Sequence, residues 1–191
     1  MKYKSSYIQV LGLMLTLVLP GCTSLPSHVI VTPDVINSST VYHNNKLAQL
    51  AVVDMRTANH IIQILHEGDA ATLLSAQARL EDTIKKNLNK HWKKQGLDIQ
   101  SSANNSISVA IEKSLISVVQ ETFKYKAQTE IVLKVTVNNG EETLTSTFKN
   151  NGSSGGPLQA DIAVLERNFN QRLTNLLQQI LVNEKISHFL K

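Results

Sequence analysis

The sequence predicts an α+β domain: a mostly antiparallel sheet of about six strands with two long amphipathic helices packed on one face. Two segments carry apolar residues at intervals of three and four, the spacing of a helix with one buried side. Shorter apolar runs rich in β-branched residues have the length of strands. The dipeptide Asn139-Gly140 marks a hairpin. Because an apolar helix stripe must be buried, we expect a layer of helices on a layer of sheet.

The first 21 residues have the three parts of a secretory signal. Lys2 and Lys4 come first, an apolar run follows over residues 10–19, and Gly21 is the small residue at the end. The apolar run is too short for a transmembrane helix, which needs about 20 apolar residues, and Pro20 would interrupt a helix. We therefore predict a cleaved signal and not a membrane span.

Cys22, the only cysteine in the chain, follows this segment directly. The stretch Leu19-Pro20-Gly21-Cys22 resembles the lipobox of bacterial lipoproteins, in which the cysteine sulfur receives a diacylglyceryl group before cleavage, although Pro20 departs from the small or aliphatic residue usual there. The resemblance implies a lipoprotein signal peptide over residues 1–21, acyl chains such as palmitate on Cys22, and a short tether over residues 22–27. The alternative is an ordinary signal peptide with a chance cysteine, whose free thiol would be a liability in an oxidising compartment.

Thr23 bears on the destination of such a lipoprotein. In many bacterial lipoproteins an aspartate at this place signals retention at the inner membrane. The resemblance therefore implies a protein anchored by lipid to the outer membrane and facing the periplasm.

The charge and length of the remaining chain limit its function. Without Lys2 and Lys4, 17 of the 19 basic residues remain against 15 acidic residues, so the net charge is about +2. With this small excess and no recognisable module, no nucleic-acid binding is expected. Residues 28–191 suit a single periplasmic domain with its own core. With one cysteine, no disulfide can form within the chain.

The first part of the domain predicts strands and a loop. Residues 28–32 are rich in β-branched residues and end at Pro33, which predicts a short edge strand. The polar residues 34–46 predict a loop. Two apolar runs, residues 49–55 and 61–65, predict a hairpin or two adjacent strands.

A first helix is predicted to follow Ser75, a suitable N-cap, and to end at Gly96. Its apolar stripe consists of Leu80, Ile84, Leu88 and Trp92. Its other side is basic and carries Lys85, Lys86, Lys90, Lys93 and Lys94. Such a face is most often only solvated. The alternative is attraction to anionic headgroups or to an acidic partner, since the tether keeps the domain close to a membrane.

Residues 130–138 predict a strand that turns back at Asn139-Gly140. A two-residue loop there would pair Asn138 with Glu141 and bring apolar side chains of both strands onto one face.

Residues 106–120 predict another strand with a local irregularity. Its apolar side chains occupy odd positions at first and even positions later. A β-bulge near Lys113-Ser114 would cause this change.

A second long helix is predicted to begin with Pro157 near its first turn. Its apolar stripe consists of Leu158, Ile162, Leu165, Phe169, Leu173, Leu176, Leu177 and Ile180. The preceding residues 150–157, rich in glycine and serine, predict a flexible loop. An anion-binding loop is the alternative, but the Lys-Ser/Thr pair of a phosphate-binding loop is missing.

The pattern as a whole resembles the YajG-like family of bacterial lipoproteins, from the lipobox almost to the C-terminus. The residues that carry the resemblance are Asp54-x-Arg56-Thr57, Gly96-Leu97 and Ile186-Ser-His188-Phe-Leu190. The resemblance implies a small outer-membrane lipoprotein of unestablished molecular role and adds no mechanism.

Asp54 and Arg56 are the best candidates for a specific site, because residues two apart in a strand share a face. They form either a structural ion pair at the strand end or part of a binding site. The six histidines show no metal-ligand spacing, so no metal is expected. No Gly-x-Ser-x-Gly motif or carboxylate pair indicates an enzyme, and no cofactor is expected.

These observations favour a non-enzymatic envelope lipoprotein that binds a protein partner or assists an envelope complex. A second hypothesis is a carrier or sensor of a small apolar or anionic envelope molecule, held in an apolar cavity between the sheet and the helices. A third, a hydrolase acting on the cell wall or on lipids, requires titratable residues clustered in a cleft.

Overall fold

A computed structural model describes residues 27–36, 42 and 46–190. Its strands are β1 His28–Val29, β2 Lys46–Asp54, β3 His60–His66, β4 Thr72–Ala76, β5 Leu97–Ile99, β6 Asn105–Gln120, β7 Lys124–Asn138 and β8 Thr143–Pro157. Its helices are α1 Leu80–Lys94, α2 Ile162–Leu181 and α3 Glu184–Phe189. The predicted α+β class is confirmed, while the described residues hold eight strands instead of about six and a third, short helix.

The eight strands form one mixed sheet in which β6 is the central strand. One edge of β6 pairs along its length with β7, which pairs in turn with β8, and both pairings are antiparallel. The other edge pairs in parallel with β2 and then with β3. Beyond these, β5 pairs in parallel with β2, β4 is antiparallel to β3, and β1 is parallel to β4 at the sheet edge. The prediction of a mostly antiparallel sheet is therefore wrong.

The strands β2 and β3 lie end to end, so the predicted hairpin or adjacent pair is also wrong. The strand β2 pairs with β6 from Ala48 to Asp54, and β3 pairs with β6 from Ile62 onwards. Both strands use the same edge of β6 and run in the same direction. A tight turn between neighbours can only make antiparallel pairs, whereas here the chain passes straight from one half of a long strand to the other.

A β-bulge in β6 lies opposite this junction and confirms the predicted irregularity. Ile111 pairs with Leu133, whereas Lys113 pairs with Val132, so Glu112 is the extra residue. The bulge moves the buried side chains from odd to even positions. The buried residues of β6 are Ile107, Val109, Ile111, Ser114, Ile116 and Val118.

The hairpin between β7 and β8 has a four-residue loop, so its predicted register is wrong. Asn138 pairs with Thr143 and not with Glu141. The side-chain oxygen of Asn139 accepts hydrogen bonds from the backbone N–H groups of Glu141 and Glu142, at 3.0 and 2.8 Å. Gly140 has a φ of +94°, which favours glycine. Because the shift is two residues, the predicted buried face is still correct.

Residues 150–157 are the second half of β8 and not a loop. They pair with β7 from Asn150 opposite Ile131 to Pro157 opposite Lys124. The glycines fit here because neighbouring groups occupy the space of a side chain. A Cβ at Gly155 would lie 2.8 Å from the backbone oxygen of Tyr125. The alternative of an anion-binding loop before a helix therefore fails as well.

The second long helix accordingly begins later than predicted. Pro157 ends β8, and α2 starts at Ile162 behind the N-cap Asp161. The Asp161 carboxylate accepts a hydrogen bond from the backbone N–H of Ala163 at 2.8 Å. All the predicted apolar positions from Ile162 to Ile180 are buried, whereas Leu158 is exposed.

The first helix also starts later than predicted, because Ser75 belongs to β4 and Arg79 is the residue before α1. Its predicted apolar stripe from Leu80 to Trp92 is fully buried. Gly96 follows the helix with a φ of +89°, which confirms the predicted C-terminal end.

The core fills the space between the two long helices and one face of the sheet. In β7 the buried residues all occupy odd positions, and they join the apolar stripes of α1 and α2 in one hydrophobic cluster. The other face of the sheet, called the outer face below, carries no helix among the described residues.

We predict that Gly155→Ala destabilises the domain, because the added methyl group would push β7 and β8 apart. The expected loss in the free energy of unfolding is about 1–3 kcal/mol, measured by urea titration. Ser153→Ala is the matched control, since Ser153 is exposed in the same strand, and its effect should stay within about 0.5 kcal/mol. Equal stability of the two variants would contradict this account of the glycines.

Candidate functional site

Asp54 and Arg56 form an ion pair at the junction of β2, β3 and β6. The guanidinium donates two parallel hydrogen bonds to the carboxylate, from Nε to Oδ1 at 2.9 Å and from Nη2 to Oδ2 at 2.7 Å. The backbone N–H of Arg56 also donates to the same carboxylate at 3.1 Å. The side chain of Arg56 is only 7% exposed. This bidentate geometry is the strongest that the two groups can adopt.

The remaining hydrogen-bond donors of Arg56 bind backbone oxygens at the start of β3 and beside the bulge of β6. Nη1 donates to the backbone oxygens of His60, at the start of β3, and of Ser114, just after the bulge of β6, at 3.2 and 3.0 Å. Nη2 donates a longer bond of 3.4 Å to the backbone oxygen of Asn59. A guanidinium has five N–H groups, and all five are engaged within the protein. This favours the structural ion pair over the binding site as the role of Asp54 and Arg56.

The pair controls the charge state of Asp54. Burial raises the pKa of the carboxyl group, but the hydrogen bonds and the positive charge of Arg56 outweigh burial and hold the pKa below its usual value. Asp54 therefore stays ionised at neutral pH and its charge stays compensated.

Two surface cavities lie on either side of the ion pair. One has a volume of about 320 Å³ and is lined by the segment from Met55 to Ala58, His60 and the bulge residues of β6. The other, of about 230 Å³, is lined by Asp54, Arg56, the end of β4 and the start of α1. Because the pair has no spare donor, a ligand in either cavity would have to use other groups.

The predicted basic residues form a separate surface on α1. All five side chains are exposed, namely Lys85, Lys86, Lys90, Lys93 and Lys94, and we call them the α1 lysine face. Their positive charge affects the pKa of a buried histidine of the same helix, His91. Burial lowers the pKa of His91, and the nearby Lys90 and Lys94 lower it further, while Asp34 opposes them. His91 is thus kept neutral next to a positively charged surface.

A third cluster, on the outer face, was not predicted from the sequence. Glu130 of β7 contacts Lys113 of β6 at 2.5 Å and Lys149 of β8 at 2.7 Å. The hydrogen bonds from the two lysines, Lys113 first, lower the pKa of Glu130. The cluster borders a cavity of about 440 Å³ lined by residues of the three strands, most of them polar, together with Leu115 and Gly152. The alternation of polar residues in these strands could have indicated this cluster, but only if the strand register and the position of the bulge had been predicted correctly.

The structure does not bring the candidate residues together into one site. The ion pair lies at the middle of the sheet, and the α1 lysine face lies on the outside of a helix. Cys22 lies outside the described residues. Within the described part of the chain, no three His, Cys, Asp or Glu side chains are placed to hold a metal ion.

We predict that Asp54→Asn destabilises the domain at neutral pH by about 2 kcal/mol, because Arg56 loses a charged acceptor in a mostly buried position. Since the folded pKa of Asp54 is lowered, its contribution is complete above the unfolded value near ~4 and is lost as pH falls through the folded value. The stability difference between wild type and variant should therefore shrink in acid, measured by denaturant titration from pH 7 to pH 2.

The exposed Asp69, in the β3–β4 turn, provides the control Asp69→Asn, with an expected effect within about 0.5 kcal/mol. A difference for Asp54→Asn that did not change with pH would argue against the charged pair.

Comparison with known proteins supports the fold and the family. A search of curated proteins gave no match. Protein XCC0632 of Xanthomonas campestris, of family DUF330, has a similar fold, with a TM-score of 0.59, 12% sequence identity, and coverage of 83% of this chain and 95% of that chain. A putative neuraminyllactose-binding hemagglutinin homolog of Helicobacter pylori matches with a TM-score of 0.48 and 9% identity, over 85% of this chain and 96% of that one.

Two further findings bear on the kind of protein. None of the helices in the described ranges has the length and apolar character needed to cross a membrane. The family model Lipoprotein_16, described as uncharacterized lipoprotein, matches residues 33–191. The chain therefore belongs to this lipoprotein family, in agreement with the YajG-like resemblance.

Proposed function

We propose that the chain is anchored to the outer membrane through acyl chains on Cys22 and acts without catalysis, by binding an acidic protein partner in the envelope. Membership of a lipoprotein family supports the anchor. The observation that carries the partner-binding role is the α1 lysine face. It presents five exposed cations on one helix, and such a concentration of one charge favours encounter with a surface of opposite charge.

The position of this face relative to the anchor supports a protein partner over the anchoring membrane. The C-terminal end of α1 leads into β5, where Leu97 pairs with Lys46 at the start of β2. The strand β2 runs parallel to β6, and Ala48 pairs with Asn105. The last turn of α1 is therefore at the end of the sheet where β6 begins.

The chain enters the domain from the opposite direction. The strand β1 is parallel to β4, and β4 is antiparallel to β3, which is parallel to β6. The strand β1 is thus antiparallel to β6, and Ser27, just before it, lies on the side that faces the end where β6 finishes. A short tether would hold that end near the membrane and direct the last turns of α1 towards the periplasm.

The alternative, a carrier or sensor of a small envelope molecule, has weaker support. It was expected to hold its ligand in an apolar cavity between the sheet and the helices. The side chains there form one buried cluster, whereas the 440 Å³ cavity lies on the outer face and is lined mainly by polar residues, with Leu115 as its large apolar side chain. Its two lysines are already paired with Glu130.

The proposal predicts that reversing the charge of the α1 lysine face releases the partner. We expect crosslinking in cells, followed by mass spectrometry, to recover specific proteins with wild type and to lose most of them with Lys86→Glu/Lys90→Glu. The matched control is Lys126→Glu/Lys185→Glu, which makes the same charge change at two exposed lysines elsewhere. Lys94 is left unchanged because it has a further interaction. No specific partner, or equal loss in both variants, would refute the partner-binding role.

The anchor is tested separately by Cys22→Ser. Without the sulfur no diacylglyceryl group can be attached, so the precursor should remain uncleaved and unlipidated. In detergent phase partitioning, the wild-type protein should enter the detergent phase and the lipidated band should be lost in the variant. An unchanged lipidated, cleaved product in the variant would refute the assignment of Cys22.

A further inference from the structure

Two large apolar side chains project from one end of the sheet. Phe123, in the turn between β6 and β7, is 78% exposed, and Leu158, directly after β8, is 66% exposed. The two residues are neighbours, since the backbone N–H of Leu158 donates to the backbone oxygen of Phe123 at 2.8 Å. Apolar surface continues on the adjacent strands through Leu65, Leu73 and Val119, which are 39–53% exposed. We call the turn residues 121–123 together with Leu158 the apolar tip.

The backbone of the apolar tip is held in place by one side chain. The amide nitrogen of Gln120 donates to the backbone oxygens of Glu121 and Leu158 at 2.7 and 2.9 Å. Its amide oxygen accepts from the backbone N–H of Ala160 at 3.0 Å. Leu158 has a φ of +62°, a conformation that non-glycine residues rarely adopt. The fold thus holds the backbone of Leu158 in an unfavourable conformation. Because most of its side chain is exposed, burial within the domain does not compensate for this conformation.

The strand β1 points away from the end of the sheet that carries the apolar tip. As shown above, β1 is antiparallel to β6, so Ser27 lies on the side of His28 that faces the apolar tip. In the sheet, His28 is level with Ser75, and Leu74 is level with Ile62 and Ile116. The chain enters four strands away from the turn, or about 15–20 Å across the sheet at the usual strand spacing.

The reach of the tether matches the height of the apolar tip. From the level of Ile116, the end of β6 at Gln120 lies about 13 Å further on at about 3.3 Å per residue, and the turn extends beyond it. Ser27 follows Cys22 by five positions, which allows a reach of up to about 17 Å in the same direction. A lipid anchor on Cys22 can therefore lie level with the end of the sheet, but hardly beyond it.

We propose that the apolar tip rests in the membrane surface that holds the anchor, with Phe123 and Leu158 among the lipid headgroups and upper acyl chains. This inference rests on the proposed lipidation of Cys22. The occupant is a bilayer because the anchor places a bilayer there, within reach of two apolar side chains that nothing in the described domain covers. Insertion of the tip gives the domain a second attachment point and fixes its orientation.

The charges at this end indicate which lipids are needed. Four exposed or half-exposed acidic residues, Glu67, Asp69, Glu121 and Asp161, outnumber the two exposed lysines at this end, Lys124 and Lys126, and Lys124 is paired with Glu121 at 3.1 Å. This surface would be repelled by anionic headgroups, so apolar insertion, and not electrostatic attraction, has to hold it. Neutral lipids are expected to be sufficient.

The experiment measures the depth of a spin label in the full, lipidated protein. Phe123→Cys and Thr122→Cys place a single free thiol at the tip, because Cys22 is blocked by its lipid. The matched control is Val182→Cys, an exposed apolar position after α2, at the far end of the domain. Each labelled protein is reconstituted into phosphatidylcholine vesicles, isolated by flotation, and tested for collision with oxygen, which enters bilayers, and with a water-soluble nickel complex.

We expect the ratio of oxygen to nickel collisions to be several-fold higher at positions 122 and 123 than at position 182, with no change on adding salt or phosphatidylglycerol. Protein that floats with equal ratios at all three positions overturns the inference and leaves the anchor intact. Labels at the tip that are shielded from both reagents would mean that protein covers it, and would also overturn the inference. Protein that does not float refutes the lipid anchor, and the inference falls with it.

Discussion

One guanidinium, that of Arg56, holds the centre of this fold together. At the bulge of β6, the pairing of this strand edge changes from β2 to β3. The regular ladder is interrupted there, so the backbone oxygens of Ser114 and His60 need other hydrogen-bond donors. Arg56 supplies the missing donors, and Asp54 compensates its charge. A buried backbone carbonyl left without a partner there would cost about 1–3 kcal/mol. The two residues are therefore best understood as part of the sheet, and their near-complete use inside the protein argues against a ligand site.

The direction of β6 gives the molecule two unlike ends. At its start lie β5 and the last turns of α1, with the lysines that follow the apolar stripe. At its end lie the turn with Phe123, the end of β8 with Leu158, and the side from which the chain enters. Under the proposed anchoring through Cys22, a short tether would hold one end of the domain near lipid and turn the other end towards the periplasm. The proposed partner binding and the proposed membrane contact are two consequences of this single polarity.

The buried faces of the helices and the bulge of β6, which depend on residues close in sequence, were predicted correctly, whereas the pairing of β2 and β3, which depends on contacts between distant parts of the chain, was not. The helix stripes from Leu80 to Trp92 and from Ile162 to Ile180 were readable because a helix buries residues at a fixed local spacing. The bulge was readable because it shifts the parity within a single strand. The hairpin register was missed by two residues because Asn139 caps a wider loop than the Asn-Gly rule allows. The strand at residues 150–157 was missed because the close neighbour that leaves no room for a side chain at Gly155 is Tyr125, a residue distant in sequence.

By itself, the sequence determined the α+β class and the buried face of each long element, and it predicted the signal segment and the lipidation of Cys22, since these depend on local composition and periodicity. Only the tertiary structure decided that β2 and β3 lie end to end on β6, that the hydrogen-bonding groups of Asp54 and Arg56 are used within the sheet, and that Phe123 and Leu158 lie at the end of the sheet from which β1 points away. The physical reason is that strand pairing is a contact between segments far apart in the chain, and no local pattern states which edge a strand will use or which end of the sheet it will face.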